Sequence, residues 1–161
     1  MRICNSEAMK MIKSLEADLS NIKLNETYNT AISYKEGEEK TKVNYDYELT
    51  RSEIATINKK IRDIKHALAV ANSTYIIDDF NITIGEALIY LAQLNNEYNI
   101  VSQLAGRNKL TRRITANGVL EYTECTYDPE KAKQDQKEIY LKIGKLQVAI
   151  DRANLNCFIE I

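Results

Sequence analysis

IATINKKIRDIKHALAVA, residues 54–71, sets apolar side chains at Ile54, Ile57, Ile61, Ile64, Leu68 and Ala71. Steps of three and four residues put all six on one face of an α-helix, which turns once every 3.6 residues. The stripe is narrow and its flanks are dense in Lys, Arg and Asp, which suits a seam between helices better than a helix laid on a broad core. This helix is predicted to start near Tyr45 and end near Asn72.

The same spacing recurs on both sides of that stretch. Upstream, Ala8, Ile12, Leu15, Leu19 and Ile22 predict a helix beginning near Asn5 or Ser6. It runs out into SYKEGEEKTKVN, residues 33–44, a charged linker without apolar period. Downstream, Thr83-Ile-Gly-Glu86 has the spacing of a capping box, in which the Thr oxygen and the Glu carboxylate each satisfy a backbone N–H of the first turn. Ile84, Ala87, Leu91, Leu94, Tyr98, Val101 and Ala105 follow on one face, and Gly106 is expected to close that helix with a left-handed turn. Asp128-Pro129 reads as an N-cap with proline at the first helical position. Ala132, Ile139, Ile143, Leu146, Ile150 and Ala153 form the fourth stripe, which Gln136 and Gly144 interrupt.

Between the last two helices, KLTRRITANGVLEYTEC (residues 109–125) has two β-prone runs around Asn117-Gly118, a pair suited to a two-residue type I′ turn. An inserted hairpin at about 108–126 is expected. That turn sets Arg113 opposite Tyr122, Arg112 opposite Thr123 and Leu110 opposite Cys125. TYII (74–77) and the C-terminal LNCFIEI (155–161) are short β-like runs, expected to pair with each other or with a neighbouring subunit. The fold class is therefore mainly α: an antiparallel bundle or coiled coil of long helices with an inserted hairpin and a short C-terminal strand, in one helical domain spanning 1–161.

Composition narrows the function. The chain has 161 residues, 44% hydrophobic and 28% charged, with one Pro and five Gly, as expected of a regular, packed domain. Lys and Arg total 22 against 23 Asp and Glu, so the net charge of −1 argues against a binder of bulk nucleic acid. No apolar run has the length of a signal sequence or a membrane span, which predicts a cytoplasmic protein without a membrane partner. Cys4, Cys125 and Cys157 are odd in number and widely separated, as reduced structural thiols are.

Catalytic signatures are lacking. His66 is the sole histidine, and its place at the edge of the second stripe predicts a packing role. The Glu-x-x-His spacing of di-metal bundles does not occur, nor does G-x-S-x-G or a glycine-rich phosphate loop. Asp78-Asp79 is an adjacent acid pair in a loop, where solvation or capping is the ordinary fate. The chain is expected not to be an enzyme and to need no metal or cofactor.

One local charge cluster stands out: Arg107, Lys109, Arg112 and Arg113, without an intervening acid. Arginine's planar fork suits phosphate or carboxylate, and the competing expectation, which ranks ahead of it, is a solvated hairpin whose cations pair with Glu121 and Glu124. Arg62, Lys65 and His66 add donors, and Asn72, Ser73 and Thr74 follow in the expected connection after the helix. Of this second group, Arg62, Lys65, His66, Asn72 and Thr74 complete the candidate ligand-binding set.

IRDIKHALAVANST (61–74), ITIGEALIYLAQLN (82–95) and LQVAIDRANLN (146–156), taken in that order, resemble the septicolysin-like family of small bacterial and mobile-element helical proteins. The resemblance covers most of residues 45–161 and is strongest from Ile54 to Gln93. It implies a helical fold with an inserted hairpin and transfers no catalytic residue. The family name suggests membrane activity, but neither a secretion signal nor an amphipathic membrane hairpin is evident. The expected function is a non-enzymatic helical homo-oligomer that sequesters a small anionic, nucleotide-like ligand. A coiled-coil adaptor for another protein ranks second, and a membrane-active protein third.

Overall fold

The computed structural model describes residues 1–161 and is mainly helical, with four helices and three two-stranded antiparallel sheets. In chain order the elements are β1 (Arg2–Cys4), α1 (Asn5–Asn29), α2 (Tyr47–Thr74), β2 (Ile76–Ile77), β3 (Ile82–Thr83), α3 (Ile84–Ala105), β4 (Leu110–Ile114), β5 (Leu120–Glu124), α4 (Pro129–Asn156) and β6 (Phe158–Glu160). Residues 30–46, which include the predicted linker, carry neither helix nor strand. The chain divides into two compact units, Met1–Thr74 with Asn154–Ile161, and Tyr75–Ala153.

In the first unit α1 and α2 run antiparallel. Lys65 pairs with Glu16 at 2.8 Å, Arg51 pairs with Glu26, and the Tyr45 hydroxyl donates to Glu26 at 2.7 Å. The buried part of both stripes lies at one end: Ala8 and Ile12 on α1, and Ile61, Ile64, Leu68 and Ala71 on α2. From Lys13 to Lys60 no residue is buried, and Leu15, Leu19, Ile22, Ile54 and Ile57 are covered only in part. A helix with a single neighbour cannot shield a whole stripe, so the periodicity persists where burial does not.

The buried end of this unit is closed by β1 and β6, paired as Arg2↔Glu160, Ile3↔Ile159 and Cys4↔Phe158. The Asn5 N–H donates to the Cys157 carbonyl at 2.9 Å, and β6 packs on α2. Asn5 is wholly buried; its amide donates to Asn72 Oδ1 at 3.1 Å and to Asn154 Oδ1 at 3.5 Å. Burial pushes the nearby Cys157 thiol up from its ordinary pKa, in keeping with an inert structural cysteine.

In the second unit β2 and β3 form a tight hairpin in which Asn81 adopts φ 52°, a left-handed conformation that asparagine tolerates. Thr83 caps α3 as the sequence predicts. Its hydroxyl accepts from Glu86 N–H at 3.1 Å, and the Glu86 carboxylate accepts from Thr83 N–H at 2.8 Å, which holds the Glu86 pKa below the usual carboxylate value. Asp128 caps α4 through a 3.0 Å bond from Glu130 N–H. Helices α3 and α4 run antiparallel: the Tyr127 hydroxyl donates to the Leu104 carbonyl at 2.8 Å, Gln136 Nε2 donates to Ser102 Oγ at 2.9 Å, and Arg152 meets Asp79 at 3.5 Å near the other end. Gln136 thus sits in the seam with its amide satisfied, while Gly144 is exposed and lies off it.

Several expectations are corrected. TYII and the C-terminal run do not pair: β2 takes β3, and β6 takes β1, a strand the sequence reading missed. Gly106 closes α3 with φ −78°, so no left-handed turn is used there. Residues 72–74 belong to the last turn of α2 rather than to a connection, and His66 is exposed rather than packed.

The inserted hairpin forms, but with a different turn. Gly118 N–H donates to the Thr115 carbonyl at 2.9 Å, Thr115 N–H donates to the Val119 carbonyl at 2.8 Å, and Gly118 alone in the loop has positive φ, at 77°. This is a three-residue loop, a β-turn followed by a left-handed glycine, in place of the two-residue turn that would require positive φ at Asn117 as well. The extra loop residue shifts the register by one, giving Arg112↔Tyr122, Arg113↔Glu121 and Leu110↔Glu124.

Candidate functional site

Strand alternation sorts the hairpin into two faces. Thr111, Arg113, Thr123 and Glu121 occupy one; Leu110, Arg112, Ile114, Leu120, Tyr122 and Glu124 occupy the other. The two adjacent arginines therefore point apart. Arg113 Nε donates to Glu121 at 2.5 Å, a pair that the shifted register brings directly across the ladder. Arg107, Lys109 and Arg112 make no ion pair.

A cavity of about 540 Å³ opens at the base of the hairpin, lined by Arg107, Asn108, Thr111, Thr123, Cys125 and Tyr127 among others. Local turns build it. Cys125 N–H donates to the Lys109 carbonyl at 2.9 Å and the Cys125 thiol to the Asn108 carbonyl at 3.3 Å, which closes the strand ends. Loss of water around the Tyr127 hydroxyl, followed by its contact with Cys125, raises its pKa, so it stays a neutral donor, already committed to Leu104. The polar groups are one guanidinium, an amide, threonine hydroxyls, of which that of Thr111 donates to the Thr123 carbonyl at 3.5 Å, and the Glu124 carboxylate. Such a set offers donors to an oxyanion or a sugar hydroxyl.

Of the predicted cationic cluster, Arg107 alone lines this cavity. Lys109 is exposed beside it, Arg113 is neutralised by Glu121, and Arg112 is on the opposite face. The other five candidates lie on α2 in the first unit. Lys65 is held by Glu16, Asn72 accepts from buried Asn5, and the Thr74 hydroxyl donates to the Val70 carbonyl at 2.9 Å. Arg62 and His66 are exposed. Sequence reading missed Thr111, Thr123 and Tyr127, because two threonines twelve residues apart acquire meaning only once the strand register places them side by side.

A larger groove of about 760 Å³ runs along α4, with Phe80, Tyr140, Leu141, Val148 and Arg152 in its walls. Leu141, Val148 and Leu155 are 54–60% exposed and recur every seven residues, a second apolar row on the side of α4 away from its buried stripe. No group of His, Cys, Asp and Glu side chains is arranged to hold a metal ion, and no helix is long and apolar enough to cross a membrane.

No family model matches the chain, and no curated protein does. Among solved structures, the chain is similar to a functionally unknown conserved protein from Corynebacterium diphtheriae, with 15% identity, a TM-score of 0.70, and coverage of 99% of this chain and 100% of that one. At that identity the likeness concerns the fold alone.

Proposed function

We propose that this protein is a non-enzymatic, cytoplasmic homo-oligomer built on antiparallel helix pairs, and that it binds a small anionic, nucleotide-like ligand in the cavity at the hairpin base. The observation that carries the reading is Arg107: a guanidinium without an ion-pair partner, beside an amide and threonine hydroxyls in a cavity of about 540 Å³. A phosphate group gives that guanidinium a two-point partner, and the hydroxyls suit a ribose or further phosphate oxygens. The α2 candidates drop out of the site because most of them already serve packing or ion pairs.

A thermal-shift screen with inorganic phosphate, mononucleotides and cyclic dinucleotides tests it. A true ligand raises the melting temperature by mass action. Arg107→Ala is expected to weaken its binding by about 1.5–3 kcal/mol, the range for a hydrogen bond to a charged group, without lowering the melting temperature of the free protein. No shift with any compound, or an equal shift in Arg107→Ala, overturns the reading. The adaptor reading stands second on the exposed row Leu141, Val148 and Leu155, whose seven-residue spacing suits a partner helix.

A further inference from the structure

All ten residues of β4 and β5 are exposed, yet the hairpin is amphipathic. On one face lie Leu110, Ile114, Leu120 and Tyr122, exposed by 56%, 74%, 46% and 58%. Together they leave roughly 500 Å² of largely apolar surface in one patch, at the upper end of what a monomeric protein keeps uncovered. A two-stranded sheet with neither face covered is marginally stable in water. The turn chemistry, the cross-strand ion pair and the alternation nevertheless all specify it, which indicates a hairpin that functions covered.

We propose that this face packs against the same face of a second copy of the chain, about a two-fold axis running along the hairpin. The argument is self-complementarity. The face consists of three cross-strand rows: Ile114 with Leu120, Arg112 with Tyr122, and Leu110 with Glu124. Rotation about the long axis lays each residue over the counterpart of its cross-strand neighbour. Ile114 then meets Leu120 of the second copy, and Arg112 meets the ring of its Tyr122, a cation over a π face. No row sets like charge on like charge. The other two-fold open to stacked sheets crosses the strands and opposes Arg112 to Arg112. Arg112 and Glu124 leave this face without net charge, so it has no electrostatic attraction to an anionic lipid surface. Thr111 and Thr123, which line the ligand cavity, lie on the opposite face, and of the cavity's lining only Glu124 belongs to the packed one.

This names the surface behind the homo-oligomer reading and rests on it only for the existence of an assembly. Sedimentation velocity over a wide concentration range is the test, with circular dichroism confirming that each variant keeps its helices. The wild-type chain is expected to dimerise. Leu120→Lys should raise the dissociation constant about a hundredfold or more, since two copies each lose a buried leucine. Arg112→Ala should weaken the dimer up to about tenfold, and Val119→Lys, on the other face, should leave it unchanged. An assembly indifferent to Leu120→Lys overturns this surface and leaves the oligomer reading standing; a monomer at every concentration overturns both. A tighter Arg112→Ala dimer overturns the axis. Flotation of the wild-type chain, but not Leu120→Lys, with vesicles of phosphatidylcholine and phosphatidylglycerol overturns the second copy as the occupant.

Discussion

Arg2 pairs with Glu160, and Ile114 pairs with Leu120; both ladders are antiparallel and two-stranded. The first joins the two ends of the chain, is covered by α2, and includes Cys4 and Ile159, which are 7% and 5% exposed. The second is closed by a three-residue loop and has no buried residue. The terminal sheet exists because packing repays the entropy of a very long loop closure. The hairpin exists because its loop is short and its turn residues suit it, with packing contributing nothing within the chain. Local chemistry is enough to shape a sheet, and tertiary cover is what makes one stable.

The widest test of that contrast is one substitution made in both sheets. Ile159→Asp is expected to cost about 3–5 kcal/mol, since it removes a buried side chain and desolvates an unpaired carboxylate. Ile114→Asp should stay within about 0.5 kcal/mol when the protein is dilute enough to be monomeric. Urea unfolding gives both numbers, and a large loss at Ile114 would mean that the isolated chain covers its own hairpin.

A smaller effect sharpens what holds the terminal sheet. Asn5→Ala takes the donor away from Asn72 and Asn154 beside the junction of β1 and α1, with an expected loss of about 1–3 kcal/mol. A loss under 0.5 kcal/mol would show that the amide cluster is dispensable and that Ile3, Cys4 and Ile159 hold the sheet by themselves.

The smallest effect belongs to the hairpin. Gly118 has φ 77°, a conformation that alanine adopts at a cost of about 1 kcal/mol. In Gly118→Ala the protection of the Thr115 amide against hydrogen exchange should fall about fivefold, while the urea midpoint stays put, because the hairpin opens as a unit of its own. A coincident drop in global stability would tie the hairpin to the rest of the fold.

The legible part of this protein was its local part. Three- and four-residue spacing marked all four helices, and Thr83-Glu86 and Asp128-Pro129 marked two of their starts, because a helix is specified by contacts within a few residues. Asn117-Gly118 announced a hairpin but not its register. The same pair serves a two-residue and a three-residue loop, and the difference of one residue moved Arg113 from opposite Tyr122 to opposite Glu121.

The predicted site divided along the same line. The sequence marked Arg107, Lys109, Arg112 and Arg113 as one cationic cluster; that only Arg107 among the nine candidates reaches the cavity depends on register and on pairings such as Lys65 with Glu16 and Asn72 with Asn5. Composition, periodicity and caps determined a helical chain with a hairpin set into it. Tertiary structure alone decided that Arg2–Cys4 is a strand, that Asn5 is buried, and where each stripe stops being covered, since those outcomes turn on which distant segments meet and spacing along the chain carries no record of that.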